Sequence, residues 1–166
     1  MRKAEFKVGQ DVFYPTAGVG VIEAMEELVY GTAHELCYVI RIPHNHITIR
    51  VPREKAVNNG LRPLLQGKQI KDLLRVLGEK SSERPVGHWA DHYKELERRI
   101  QSGCCLEVGA AVRDLVRLKA GHGLSFEEAR LLEIASGYLV RELAVVEGVT
   151  LVAAQELIHA SITASP

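Results

Sequence analysis

Apolar and polar residues alternate with two different periods along this chain, and the change falls near Gly67. In "HELCYVIRI" Leu36, Tyr38, Ile40 and Ile42 fall at every second position. In "HITIRVP" so do Ile47, Ile49 and Val51, with Thr48 and Arg50 on the other face. A period of two marks a strand with one buried face. Upstream, "DVFYP" reads as a short strand ended by Pro15. "GVGVIEAMEELVYG" reads as a long strand between Gly18 and Gly31, with Val19, Val21 and Ile22 near its start. Pro43-His44-Asn45-His46 is a turn-rich tetrapeptide suited to a hairpin. Short strands joined by tight turns predict a small SH3-like or Tudor-like β-barrel over residues 1–66.

From Lys68 onward the apolar spacing becomes helical. "KQIKDLLRVLG" places Ile70, Leu73, Leu74 and Leu77 on one stripe, and the polar connector "EKSSERPVG" follows. The next helix carries Trp89, Tyr93, Leu96 and Ile100 at spacings of four, three and four. Another runs from about Cys104 to Ala120, with Val108, Val112, Leu115 and Leu118 inward. Ser125 and Glu128 form a capping-box pattern ahead of Leu132, Ala135, Leu139, Leu143 and Val146, and Gly148 stops that helix. Thr150 is placed to cap a last helix with Leu151, Ala154, Leu157 and Ile158. The expected fold class is α+β, a small β-barrel followed over residues 67–166 by a compact bundle of about five helices.

Composition adds mainly exclusions. The apolar fraction is 46% and the charged fraction 25%, ordinary for a globular protein. No apolar run approaches the ~20 residues that span a bilayer. The start, "MRKAEFKVGQ", has no apolar signal region, so a cytoplasmic protein with no membrane partner is expected. Lys+Arg and Asp+Glu both number 21, which argues against a free-standing, sequence-blind DNA binder. Three cysteines, Cys37, Cys104 and Cys105, give no disulfide framework. The adjacent pair reads as small half-buried residues in a helix's first turn. His44 and His46 read as a solvated hairpin tip, since a closed metal site needs more ligands. Gly18 and Gly20 enter a strand, not a helix, so they are not a dinucleotide loop. Glu26-Glu27 reads as a solvated strand edge, and no nucleophile elbow or phosphate loop is found. The chain therefore reads as a binding protein, not an enzyme, with no cofactor, metal or small-molecule ligand expected.

Its surfaces carry what remains. Lys94, Arg98, Arg99, Arg113, Arg117, Lys119 and Arg130 are interleaved with Asp91, Glu95, Glu97, Glu127 and Glu128, the mixture of a solvated face. The single tryptophan, Trp89, has two readings. It shares the stripe of Tyr93, Leu96 and Ile100, which favours the core. It also sits in a first turn, and side chains lean toward the helix N-terminus, so it can project past the packed stripe. Phe126 follows the Ser125 cap in another first turn, and two such aromatics would form one apolar patch for a partner.

Six stretches then point to a family: "FKVGQDVFYPTAGVGVIEAME" at Phe6–Glu26, "ITIRVP" at Ile47–Pro52 and "NNGLRPL" at Asn58–Leu64, with "HWADHYKELERRI", "VRDLVRLK" and "GLSFEEARLL" in the helical part. In this order, over nearly the whole length, the chain resembles the CarD/CdnL family of bacterial RNA-polymerase-binding transcription regulators. The resemblance implies a Tudor-like domain, shared with transcription-repair coupling factors, that docks on the RNA polymerase β-subunit lobe by pairing a sheet edge. Thr48, Ile49, Arg50, Val51 and Pro52 would lie at that contact.

It also implies a helical domain that reaches promoter DNA at the upstream edge of the melted bubble. A tryptophan at the position of Trp89 would wedge into the minor groove and oppose bubble closure. Lys94 and Arg130 match the family's basic patch, and Phe126 would extend its apolar surface. Two places that often hold basic residues after the tryptophan hold Asp91 and His92 here, and Leu28 takes a basic place in the second strand. A monomer is expected, acting on DNA weakly and mainly when docked. The alternative, favoured by Asp91, is an interaction module that binds polymerase or another protein without DNA contact.

Overall fold

The computed structural model describes residues 5–81 and 89–164, with the side chain of Trp89 outside the described residues. The chain divides into two compact units, Met1–Leu64 and Leu65–Pro166. The first holds strands β1 (Asp11–Tyr14), β2 (Gly18–Tyr30), β3 (Ala33–Ile42), β4 (Ile47–Pro52) and β5 (Arg62–Pro63). They form one antiparallel sheet in the order β4-β3-β2-β1-β5, so β4 and β5 are its edges. The sheet surrounds a core of Phe6, Val12, Ile22, Tyr38, Ile40, Ile42, Val51, Ala56 and Leu61. This is the Tudor-like, α+β architecture that the alternation predicts.

The core is tight enough to dictate residue type. A Cβ on Gly20 would sit 2.7 Å from both Ile40 Cγ2 and Ile42 Cδ1. Phe6 meets Tyr38 edge to face with ring centroids 5.6 Å apart, and its amide donates to the Tyr38 hydroxyl at 3.3 Å. Two expected inward residues are instead exposed: Leu36 at 39% and Ile47 at 42%. The physical reason is where the layers end. β1 covers β2 only as far as Val21, and β4 pairs with β3 only from Cys37, so Leu36 lies on a two-stranded extension. Ile47 adjoins the hairpin turn. Cys37 and Val39, on the face away from Tyr38, are buried as well. Burial is the main cause that pushes the Cys37 thiol up from its ordinary value, with the Glu35 and Glu26 carboxylates adding to it.

The second unit holds α1 (Gly67–Gly78), α2 (Trp89–Gln101), α3 (Cys105–Gly121), α4 (Phe126–Glu147) and α5 (Leu151–Thr163). α3 packs against α1, α2 and α4, while α4 also packs against α2 and α5. The predicted caps form. Ser125 and Glu128 close a capping box, Thr150 Oγ1 accepts from Ala153 at 3.1 Å, and Gly148 ends α4 with φ 64°. Cys104 is the N-cap of α3 and is exposed rather than half-buried. On α4 the inward set is Leu131, Ala135, Leu139 and Leu143, with Leu132 and Val146 only half-buried. On α5, Ala154, Ile158 and Ile162 face inward, whereas Leu151 and Leu157 are exposed because α5 lies on α1 and α4 along one narrow face.

Three charged residues expected on a solvated surface, or not singled out at all, are buried: Arg113, Glu128 and Glu142. Arg113 Nη1 donates to the Val76 carbonyl at 2.9 Å. Glu142 Oε2 accepts from the Leu65 amide at 2.9 Å, which ties the first residue of the helical unit to α4. Replacing Gly20 by Ala should destabilise the β unit by about 1–3 kcal/mol, because Ile40 and Ile42 must both move. Chemical denaturation of the full chain, followed by far-ultraviolet circular dichroism, checks it.

Candidate functional site

Two surfaces hold the residues that the sequence singles out, one on each unit. The first is strand β4. It pairs with β3 on one side, from Ile42↔Ile47 to Cys37↔Pro52, and its other side is an open edge of the sheet. Such an edge presents unpaired backbone donors and acceptors. Thr48 and Arg50 are exposed, Ile49 and Pro52 are half-buried, and Val51 is buried at 2%. Val51 therefore offers a partner its main chain, not its side chain. Arg50 is not simply solvated: its Nε donates to Glu26 Oε2 at 3.0 Å, across β3. Glu27 likewise lies 2.6 Å from His34 Nδ1. The Glu26-Glu27 pair thus belongs to cross-strand pairs on the long hairpin. Leu28 sits half-buried on that hairpin, opposite Glu35.

The second surface is built from the first turns of α2 and α4, which pack against one another. His92 Nε2 on α2 lies 3.9 Å from Glu128 Oε2 on α4, so the two turns lie side by side. Phe126, the first residue of α4, is 81% exposed, more than any other large apolar side chain among the described residues. A phenylalanine left in water forgoes about 1.5–3 kcal/mol of burial, so this position stands out. Arg130 is one helical turn further along α4 and is also exposed, as is Lys94 on α2. Among the described residues, neither Lys94 nor Arg130 has an ion-pair partner. Exposed Asp91 and Glu127 keep the local charge balanced. Trp89 begins α2; its side chain, on which core and partner readings divided, lies outside the described residues. Further along that helix the stripe is inward, with Leu96 and Ile100 buried and Tyr93 half-buried.

The other arginines expected on this face are occupied. Arg98 donates to Glu95 at 2.9 Å and 3.0 Å and to Glu107 at 3.3 Å. Arg99 reaches Glu95 at 3.2 Å and Asp114 at 3.4 Å. Hydrogen bonds from Arg98 and Arg99 hold the Glu95 carboxyl down at about 2, and Glu95 in turn raises the Arg98 guanidinium. Arg117 donates to the carbonyls of Leu77, Glu79 and Ile162 and to the Ser81 hydroxyl. Lys94 and Arg130 are thereby distinguished from their neighbours by geometry that spacing alone does not give. Among the described residues no three metal-ligating side chains converge, and no single helix is long and apolar enough to cross a membrane.

An open sheet edge on one unit, and an aromatic ring with two uncommitted cations on the other, describe a two-unit binding protein. Residues 6–65 match the CarD-like/TRCF RID domain, and residues 72–159 match the CarD C-terminal domain. A protein of Bacillus subtilis (strain 168), named "Putative transcription factor YdeB", is 31% identical over 145 residues, covering 87% of this chain and 94% of that protein. The chain belongs to the CarD family of transcription factors.

The ion pairs that Glu95 makes within α2, with Arg98 and Arg99, set a pH window. A carboxyl held below its ordinary value stabilises the fold fully above that value, and the benefit is lost as pH falls through the lowered one. For Glu95 the window runs from about 4.5 down to about 2. The melting temperature of wild type should exceed that of Glu95→Gln at pH 5 and above, and the difference should close toward pH 2. Added salt should reduce it, because the group is exposed.

Proposed function

We propose that this protein is a transcription regulator that docks on the lobe of the RNA polymerase β subunit through the β4 edge. Its helical unit then contacts promoter DNA at the upstream edge of the bubble and stabilises the open complex. The observation that carries this reading is Phe126: a ring 81% exposed, on a first turn packed against that of Trp89, with exposed Lys94 and Arg130 on the same two helices. An apolar wedge flanked by cations suits a distorted minor groove, where unstacked bases meet the ring and phosphates meet the charges. Membership of the CarD family and the match to the RID domain support the docking half. Thr48 to Pro52 would supply it, with main-chain groups doing most of the recognition and Arg50 the charged contact.

Among the described residues two uncommitted cations serve the DNA face, so intrinsic affinity for DNA is weak. Docking compensates by raising the local DNA concentration. Exposed Asp91, two residues after Trp89, favours a second reading, in which the chain binds polymerase and leaves DNA alone.

The lifetime of open complexes formed by the cognate polymerase separates the two. Wild type should lengthen it, and Trp89→Ala and Phe126→Ala should each remove most of that effect while still binding polymerase. Phe126→Ala should change stability by no more than about 0.5 kcal/mol, as for other exposed sites. Binding to forked promoter DNA should show a log–log salt slope of about −2, from two phosphate contacts. Equal lifetimes for all variants, with a flat salt response, would leave the polymerase-only module. Arg50→Glu should weaken polymerase binding and leave the fork affinity unchanged.

A further inference from the structure

The residue between the two DNA-facing turns is His92. Its side chain is 23% exposed, and its Nε2 atom is buried without a hydrogen-bond partner among the described residues. Glu128 Oε2 lies 3.9 Å away. The Glu128 carboxylate is itself fixed: its Oε1 accepts from the Ser125 amide at 3.0 Å, and the Glu128 amide donates to Ser125 Oγ at 3.2 Å. One oxygen closes the capping box, and the other is left facing an unpartnered ring nitrogen on the neighbouring helix. A neutral imidazole gains little there, since 3.9 Å is too long for a hydrogen bond. An imidazolium meets a buried carboxylate.

We infer that His92 is a positioning residue of the DNA surface: protonated, it draws the first turn of α2 onto the first turn of α4 through Glu128. This sets the spacing of Trp89 and Lys94 on one helix against Phe126 and Arg130 on the other. The functional part of the inference rests on the DNA-contact reading above; the clamp itself does not. Glu128 is the charged group that faces His92 from α4. On α3, the other helix packed on α2, Glu107 and Asp114 are taken by Arg98 and Arg99, and Arg113 donates to the Val76 carbonyl and to Asp114. On α2 itself Glu95 is held by Arg98 and Arg99, while Asp91 and Lys94 are exposed. The clamp is therefore tight when the imidazole carries a proton and loose when it is neutral.

Trp89 is the only tryptophan in the chain and lies one helical turn before His92, so its emission reports on this turn. The experiment compares the emission of the full-length protein at about pH 6 and about pH 8 for wild type, Glu128→Gln and His92→Gln. Glutamine still completes a capping box, so Glu128→Gln keeps the start of α4 and removes only the charge. Circular dichroism verifies the helix content. Wild type should show a pH-dependent change in emission, and both variants should lose it. A change that persists in Glu128→Gln would mean that the ring quenches Trp89 alone, and would overturn the clamp; so would no change in wild type. In parallel, affinity for forked promoter DNA should rise about 2- to 5-fold from pH 8 to pH 6 in wild type and stay flat in Glu128→Gln. An emission change without fork binding at either pH would leave the clamp standing and remove the DNA-contact reading.

Discussion

The helical unit depends on how the end of α1 is satisfied. The last carbonyls of any helix lack intrahelical donors, and a helix end packed against neighbours cannot leave them bare. Here α3 answers with two arginines one turn apart. Arg113 donates to Val76, and Arg117 donates to Leu77 and Glu79. Arg117 also reaches Ile162 near the end of α5, so one side chain ties three helices together. Cations at helix C-termini are electrostatically favoured as well. The close approach of α1 and α3 has a steric condition: a Cβ on Gly109 would sit 2.6 Å from Leu73 Cδ1. With α3 fixed this way, α2 and α4 pack on it, and their first turns come together.

That arrangement sorts the arginines by role. Arg98 and Arg99 are spent on Glu95, Glu107 and Asp114, and Arg113 and Arg117 reach backbone carbonyls, whereas Lys94 on α2 and Arg130 on α4 remain uncommitted among the described residues. A neutral chain with so few uncommitted cations described beside its exposed ring is a poor DNA binder in solution. It suits the proposed function, in which polymerase supplies proximity and the chain supplies a wedge.

Much of the fold was legible in the sequence because the signals are local. The alternation of Tyr38, Ile40 and Ile42, the Ser125–Glu128 box, the Gly148 stop and the Thr150 cap each depend on a few neighbouring residues. Errors fell where a strand ran past its partner, as at Leu36, because strand length says nothing about how far a second layer extends. The candidate site was half legible. A phenylalanine straight after a helix cap was visible as an apolar patch, and it is exposed.

The buried charges were not read, although Glu142 did leave a trace, falling between Leu139 and Leu143 on the inward stripe of α4. Alone, the sequence determined the elements, their caps, the family and the neutral charge, since all of these follow from residue type and spacing. Only the tertiary structure decided which charges are free and which are spent. Whether a charge is buried depends on groups far away in the chain, as Glu142 meets the Leu65 amide and Arg113 the end of α1. Desolvation makes such pairings obligatory once the helices pack, and no short stretch of sequence records it.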